Sequence, residues 1–433
     1  MARLGKSQVA SALGVASILM GSLALGTGAA AAGHHAAKTV TITMWNSVVG
    51  PGASALKSVV AEFNASHPHI QVHNVFITQS DALLSRLSTA LSVNQEPTIL
   101  YDDVPSNGPT EMKSGKMVNL TKWAHATVDK WIYPKMLAGC VYKGVQFCVP
   151  SESGDYALYY NKKDFAQAGI KSPPKTWAQV IADGKKLTDP AKNRYGIYIP
   201  FGTTEWTVWT YEGMLWANGG HFLNKSKTKA AFDSPAGIKA LQIWQDALYK
   251  YKIAPLTSFS TPTNSDGEQA FASGLVAMLI DGSWDLTTFD QAKVDYGVTY
   301  FPGIKRYATN TGQAGIDVFN TGSAQVAAAK TFLVWFLNPK VQARMSAQVP
   351  GAMPAEPAVD KNVGFAKSEA RYMNVFLGDL KYAHVRPSII SYPAISAALG
   401  QQIDEVLYNK ETAAQALRTA AREADQILKK NHE

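Results

Sequence analysis

Segments with a strand pattern alternate with segments with a helix pattern along most of this chain. Residues 39–45 are rich in β-branched side chains, residues 53–66 repeat apolar side chains at helical spacing, and residues 70–77 show a second strand pattern. The same order recurs at residues 156–160 and 163–168. Because strands connected through helices pair in parallel, the alternation predicts an α/β fold of mostly parallel sheets flanked by helices.

Further patterns extend this prediction toward the C-terminus. Thr176 and Gln179 have the spacing of a helix capping box, which predicts a helix that begins at Trp177. Additional strands and helices are predicted from short apolar runs and from helical periodicity. The strands are residues 97–101, 195–199 and 275–280, and the helices are residues 331–337 and 411–430.

The length of the chain predicts two domains. It has 433 residues, of which 46% are apolar and 17% are charged. That composition is typical of a globular protein, but the chain is too long for one hydrophobic core.

The first residues have the pattern of an export signal. A basic start and a long apolar run are followed by Ala30-x-Ala32 before Gly33, which predicts a secretory signal peptide over residues 1–32. A retained membrane anchor is the alternative interpretation, because the apolar run is long enough to span a bilayer. The segment contains no cysteine for lipid attachment, and no later apolar run is long enough to cross a membrane. We therefore expect an exported protein that is soluble after cleavage, either periplasmic or otherwise extracytoplasmic.

The charge pattern and the absent motifs exclude several classes of function. The net charge is +8, but the basic residues are scattered and form no stripe, which argues against nucleic acid binding. The sequence has no G-x-S-x-G, no H-E-x-x-H and no phosphate-binding loop. It therefore predicts no catalytic residue, no metal site and no cofactor.

The two cysteines, Cys140 and Cys148, flank a predicted hairpin turn at Lys143 and Gly144. A two-residue turn pairs Cys140 with Phe147 and leaves Cys148 one residue out of register, which a bulge or a longer loop would correct. A disulfide is expected in an exported protein, and two buried free thiols are the alternative.

Several short strings carry a resemblance to a known family. They are residues 41–45, 96–102, 157–162, 174–177, 218–220, 271–278 with 282–284, and 332–339. In this order they resemble the extracellular solute-binding proteins of sugar ABC importers, the maltose-binding-protein type. One departure is Thr98, where the family usually has aspartate.

The resemblance implies a two-lobed Venus-flytrap fold with a hinge of about three crossings. The implied crossings lie near Ser153, Val276 and Ala324. The first lobe would comprise residues 39–153 with 276–323, and the second residues 154–275 with 324–433. A protein of this kind is a monomer that captures a carbohydrate without chemistry and delivers it to a membrane permease, while ATP is hydrolysed by a separate subunit.

Ligands of open α/β sheets bind beyond the carboxyl ends of the strands, and this rule selects the candidate site. A sugar has a C–H face that stacks on aromatic rings and hydroxyls that pair with carboxylates and amides. The candidates, which include two residues at the implied hinge, are Trp45, Asn46, Asp102, Asp103, Asp155, Tyr156, Trp206, Trp209, Asp281, Trp284 and Gln313.

Some candidates have a structural alternative. We expect one of Trp206 and Trp209, not both, to contact ligand, whereas Asp102 and Asp103 fit turn or capping roles equally well. Trp177 and Trp335 lie in predicted helices, and we expect them to pack in the cores.

Three rival functions remain at this level. The first is an enzyme, such as a glycosidase with two carboxylates. The second is the same fold binding a polyamine, iron, thiamine or a phosphate ester. Tyr159 and Tyr160, an adjacent tyrosine pair of the kind that iron would use, lie in a strand, and no arginine follows a predicted strand to hold a phosphate. The third is an adhesive surface protein, against which the lack of repeats argues.

Overall fold

The computed structural model describes residues 38–48, 50–77, 80–102, 107–256, 266–360 and 367–433. The predicted signal peptide lies outside these residues. Within them, no helix combines the length and the apolar character needed to cross a bilayer.

The strands of the described chain alternate with helices, as the sequence predicts. The strands are β1 (Val40–Asn46), β2 (Ile70–Phe76), β3 (Ile99–Asp102), β4 (Val141–Tyr142), β5 (Val145–Gln146), β6 (Cys148–Asn161), β7 (Met278–Gly282), β8 (Tyr296–Thr299), β9 (Thr309–Val318), β10 (Met353–Pro354) and β11 (Ala383–Val385).

The helices cover the faces of the sheets. They are α1 (Gly50–Ser66), α2 (Ser80–Ser92), α3 (Gly108–Met112), α4 (Thr121–Thr127), α5 (Pro134–Gly139), α6 (Lys162–Gln167), α7 (Trp177–Leu187), α8 (Glu205–Ala217), α9 (Pro235–Gln245), α10 (Asp266–Ala272), α11 (Leu286–Gln291), α12 (Ser323–Phe336), α13 (Pro339–Ser346), α14 (Pro357–Asp360), α15 (Lys367–Asp379), α16 (Tyr392–Leu407) and α17 (Ala413–Lys430).

The first lobe is built on a sheet with the strand order β10-β6-β9-β3-β1-β2. β1 pairs in parallel with β2 and β3, because α1 and α2 form the crossovers, and β9 then pairs antiparallel with β3. The alternation of β1 places Met44 in a core with Phe63 of α1 and Phe332 of α12. Trp45 points to the opposite face and packs with Leu83 of α2.

The strand β6 belongs to two sheets and connects the lobes. From Cys148 to Asp155 it pairs with β9, and from Tyr156 to Asn161 it pairs with β7 and β8. The chain therefore passes from one sheet to the other between Asp155 and Tyr156, close to Ser153, near which the resemblance implies the first crossing. β9 reaches the same point, where Thr311 pairs with Asp155.

The second lobe packs its helices in a large aromatic core. Tyr211 of α8, Trp244 of α9, Leu399 of α16 and Leu417 of α17 are buried there. Trp177 is buried in the same core, which confirms its predicted packing role. The predicted capping box is also confirmed, because the Thr176 side chain accepts from the backbone of Gln179 and the Gln179 side chain reciprocates.

The packing differs from the expected lobe division in two stretches. β7 and β8, from the segment expected in the first lobe, pair with the second half of β6. α12, from the segment expected in the second lobe, packs against β1 and α1. The reason is physical: a buried apolar run such as residues 275–280 has no polar face to show which sheet it joins, so tertiary pairing decides. Residues 195–199 likewise form only an isolated bridge, between Tyr195 and Val276.

Cys140 and Cys148 form a disulfide in the structure. β4 and β5 form the hairpin, whose turn residues Lys143 and Gly144 both have positive φ, 47° and 78°. The Phe147 N–H donates to the Cys140 carbonyl at 2.9 Å, so Cys148 lies one residue beyond the hairpin pairing and begins β6. The disulfide therefore ties the hairpin to the strand that connects the lobes.

Candidate functional site

Aromatic side chains cluster at the point where β6 passes between the sheets. Trp206 and Trp209 project from the same side of α8, and Trp284 lies in the 3₁₀ turn that follows β7. The ring centroids of Trp206 and Trp209 are 5.4 Å apart, and the Trp284 ring lies 6.1 Å from each. Tyr156 of β6 packs edge-on against Trp209, with centroids 4.7 Å apart. We call Tyr156, Trp206, Trp209 and Trp284 the aromatic cluster.

Burial is graded across the aromatic cluster. Tyr156 is fully buried and donates its hydroxyl proton to the Trp209 carbonyl at 2.9 Å, and Trp209 is 7% exposed. Trp284 is 44% exposed, although its ring lies nearly parallel to Trp209, at 29°. The cluster thus has a buried ring, that of Trp209, and an exposed ring, that of Trp284.

Two glycines let the rings lie against the hinge strands. Gly154 of β6 and Gly312 of β9 are paired in register. A Cβ atom on Gly154 would lie 3.3 Å from Cζ3 of Trp284, and one on Gly312 would lie 3.3 Å from Cζ2 of Trp209. Glycine inside a strand often marks the close approach of another group, which here is an indole ring.

An ion pair between buried Arg386 and partly exposed Glu205 lies beside Trp209. Arg386 directly follows β11, and its guanidinium carbon lies 5.8 Å from the centre of the Trp209 ring. The guanidinium donates to Glu205 Oε1 at 2.9 Å, and the Tyr392 hydroxyl donates to the same oxygen at 2.7 Å. Ser396 donates to Glu205 Oε2. The charge of Arg386 is therefore already compensated within the protein.

Glu212, two turns further along α8, connects this ion pair to the hinge. It is fully buried and accepts from the Asn310 side chain on β9. The Tyr392 hydroxyl lies 3.3 Å from Glu212 Oε1. Burial, and then the nearby charge of Glu205, raise the pKa of Glu212 well above its usual range. The network joins α8, β9 and α16, so the position of Trp209 is linked to the strands that cross between the lobes.

Asp281 lies behind Trp284 in a group of three carboxylates. Oxygens of Glu268, Asp281 and Asp285 lie within 4.8 Å of one another. Burial raises the pKa of Asp281 and brings that of Glu268 to about 8. Asp281 Oδ1 accepts from the Gly282 N–H at 2.7 Å, which shapes the turn that carries Trp284. The group has the oxygen chemistry of a divalent-cation site, but its raised pKa values favour protonated carboxyls.

Other predicted site residues lie away from the aromatic cluster. Trp45 is buried in the first lobe beneath the guanidinium of Arg86, 4.5 Å from its ring centre. Asn46 donates to Asn74 Oδ1 at 2.6 Å and secures the end of β2. Both residues lie at the end of β1, as the sequence predicts. A position at a strand end does not determine which face of the sheet a side chain occupies.

The remaining predicted residues have mixed outcomes. Asp155 is fully buried, and neither carboxylate oxygen has a hydrogen-bond partner among the described residues. Burial, and then the charge of Asp379, raise its pKa well above the usual range. Asp102 ends β3 and Gln313 lies in β9, but their side chains, and Asp103 entirely, lie outside the described residues.

Sequence reasoning expected one of Trp206 and Trp209 at the site, and the structure brings both to it. It missed Arg386, whose strand β11 has three residues and therefore shows no periodicity. The sequence analysis found no arginine after a predicted strand, and Arg386 follows a strand that was not predicted. A visible signal was Pro387, which directly follows Arg386 and is typical of a strand end or turn.

Comparison with known proteins identifies the family. Residues 58–373 match the sequence model of the bacterial extracellular solute-binding proteins. The chain belongs to this family. Its fold matches that of an ABC transporter solute-binding protein from Thermotoga lettingae solved with bound α-D-tagatose. The TM-score is 0.79 at 27% identity, over 90% of this chain and 99% of that one.

Curated relatives of this solute-binding protein cover nearly the same length. The maltotriose-binding protein of Pyrococcus abyssi is 22% identical and covers 84% of this chain and 77% of its own. The sn-glycerol-3-phosphate-binding periplasmic protein of Agrobacterium fabrum is 24% identical and covers 90% and 92%. The two-lobed fold predicted from the sequence is therefore confirmed, and the relatives are binding proteins.

Proposed function

We propose that this solute-binding protein captures a carbohydrate at the aromatic cluster and delivers it to the permease of an ABC importer. The observation that carries the proposal is the stacked pair of Trp209 and Trp284 at the crossing between the lobes. The relatives named for tagatose and for maltotriose support a sugar as the ligand class.

The chemistry of the aromatic cluster suits a sugar. The open face of Trp284 offers an apolar plane for the C–H face of a pyranose, while Tyr156 and the glycine backbone hold Trp209 behind it. Neutral hydroxyls need no free counter-charge, and the nearby charges of Arg386 and Glu205 are paired with each other. The cluster therefore favours an uncharged ligand.

Capture requires movement of the lobes and no covalent step. The ligand binds the open form, and rotation about β6 and β9 closes the second lobe over it. The closed form is populated in proportion to the ligand's preference for it, so release stays possible at the permease. We propose a monomeric, exported binding protein without enzymatic activity, whose lobes divide at Asp155 and Tyr156.

A phosphate ester is the second candidate, favoured by Arg386 and by the relative named for sn-glycerol 3-phosphate. A phosphate would have to compete with Glu205, which already accepts from the guanidinium at 2.9 Å. The Arg386 side chain is also only 9% exposed. Charge-assisted phosphate binding needs free donors, so the paired arginine favours the sugar.

Isothermal titration calorimetry of the mature chain with tagatose, maltose, maltotriose and sn-glycerol 3-phosphate tests the proposal. We expect a sugar to bind and to be recovered unchanged. Trp284→Ala should raise its Kd about tenfold, because a stacking contact contributes roughly 1–1.5 kcal/mol.

The matched control is Trp131→Ala, a half-buried tryptophan of the first lobe outside the aromatic cluster. It should leave the sugar Kd unchanged. Binding of sn-glycerol 3-phosphate without any sugar would favour the second candidate. An unchanged sugar Kd in Trp284→Ala would place the ligand outside the aromatic cluster. Recovery of a chemically altered sugar would indicate an enzyme.

A further inference from the structure

A groove of about 710 Å³ lies on the first lobe and shares no residue with the aromatic cluster. It runs between α1, α4, α12 and α13, and its volume is within the range of small-molecule sites. Its lining combines indole rings with cationic side chains, and the residues used below are Trp123, Lys330, Trp335, Lys340, Arg344 and Glu62.

The two indole rings of the groove are held in place yet partly open. Trp335, which the sequence predicted to be a core residue, is half-buried. Its ring lies edge-on to Phe63 and His67, with centroids 5.4 and 6.4 Å apart, so one part of the ring remains at the surface. Trp123 is half-buried as well, and the ammonium group of Lys330 lies 5.8 Å from its ring centre. Both rings offer stacking surface.

The charges of the groove are unbalanced. Arg344 pairs with Glu62 at 2.7 Å, which neutralises both. Among the described residues, neither Lys330 nor Lys340 forms an ion pair with a carboxylate. Two uncompensated ammonium groups therefore face the groove, and the chain as a whole carries +8, which attracts anions.

We propose that this groove binds an anionic saccharide that carries carboxylates. The rings of Trp123 and Trp335 stack on its sugar units, and Lys330 and Lys340 pair with its carboxylates. An indole ring alone fits a neutral sugar and a lysine alone fits any anion, so the combination selects a charged saccharide. This site is separate from the transport cleft, and neither proposal depends on the other.

The probe is a hexamer of α-1,4-galacturonate, titrated calorimetrically into the full chain. We expect binding that weakens with added salt. The double variant Lys330→Ala with Lys340→Ala should raise the Kd about tenfold, because it removes both ammonium groups that pair with the carboxylates.

Lys185→Ala is the matched control, because Lys185 lies 4.2 Å from the Tyr251 ring centre on the second lobe. It removes one lysine charge, half of what the groove variant removes, together with a cation–aromatic contact like that of Lys330, and it should leave the hexamer Kd unchanged. Trp284→Ala should also leave it unchanged, which separates the groove from the cleft. Absence of hexamer binding would overturn the proposal. An equal rise of the hexamer Kd in Lys185→Ala and in the groove variant would also overturn it, because the hexamer would then respond to the overall positive charge of the protein and not to the groove.

Discussion

At the scale of the residue, Arg386 is the side chain that connects Trp209 to the carboxylates of α8. Its guanidinium lies over Trp209 and donates to Glu205, and its charge also stabilises the charged form of buried Glu212. Removing one member of such a buried pair leaves carboxylates without a counter-charge, which costs more than the pair itself contributes.

Arg386→Ala should therefore lower the free energy of unfolding by about 2–4 kcal/mol and weaken sugar binding through a displaced Trp209. Adding Glu205→Gln should restore more than half of the lost stability, because the uncompensated carboxylate is then gone. Urea unfolding of the single and double variants measures both effects. Equal stabilities of Arg386→Ala and the double variant would contradict this explanation.

Arg344→Ala is the control for this prediction. Arg344 pairs with Glu62 at a similar distance, 2.7 Å, but both side chains are about half exposed, 49% and 52%. A solvent-exposed pair contributes less than about 1 kcal/mol. The contrast between the two arginines isolates the effect of burial.

At this scale the sequence indicates which side-chain types a sugar site needs, and the structure decides where they lie. Trp206, Trp209 and Trp284 could be selected because aromatic residues at strand ends are typical of sugar sites. Trp45 follows the same rule and yet packs under α2, since the direction of a side chain at a strand end depends on the face that the core occupies. Arg386 was not selected, because its neighbours become a strand only through pairing with β9.

At the scale of the element, we expect the disulfide hairpin to contribute stability without contributing to ligand binding. Cys140 and Cys148 are buried with Phe147 and tie the β4–β5 hairpin to the start of β6. A cross-link that closes a loop of this length, with a sequence separation of 8, stabilises by about 2.5 kcal/mol in the chain-entropy treatment.

The double variant Cys140→Ser with Cys148→Ser should therefore lower the free energy of unfolding by about 2.5 kcal/mol and leave the sugar Kd unchanged. Urea unfolding and calorimetric titration measure the two quantities. Reduction of the unaltered protein should reproduce the loss of stability, which controls for the serine side chains. A changed sugar Kd would show that the hairpin also sets the geometry of the hinge.

Elements with a strong local pattern were predictable, and the hinge strand β9 was not. Residues 39–45, 70–77 and 97–101 became β1, β2 and β3 because they are rich in β-branched and apolar side chains. β9 shows no such pattern: it carries glycine and polar residues where Trp209 and β6 approach its backbone closely. Local propensity does not predict β9, because its residues are suited to the close packing at the crossing between the lobes and not to an isolated strand.

At the scale of the whole molecule, buried carboxyl groups determine how stability depends on pH. Glu111 and Asp379 each have a pKa raised to about 7, mainly by burial, and the pKa of Glu268 is raised to about 8. In the unfolded chain these groups titrate near 4.5 for glutamate and 3.8 for aspartate. These three carboxyl groups therefore bind more protons in the folded protein than in the unfolded chain between those values and pH 8.

The sign of the effect follows from this difference. Where the folded state binds more protons, stability falls as pH rises, so the contribution of these groups is complete below about pH 4 and is lost as pH rises through 7 to 8. We expect the Tm, measured by differential scanning calorimetry, to be several degrees higher at pH 5.5 than at pH 8.5. Glu111→Gln cannot ionise, and it should reduce this difference while leaving the Tm at pH 5.5 nearly unchanged. A Tm that rises with pH over this range would mean that paired carboxylates, and not buried protonated ones, dominate the stability of the molecule.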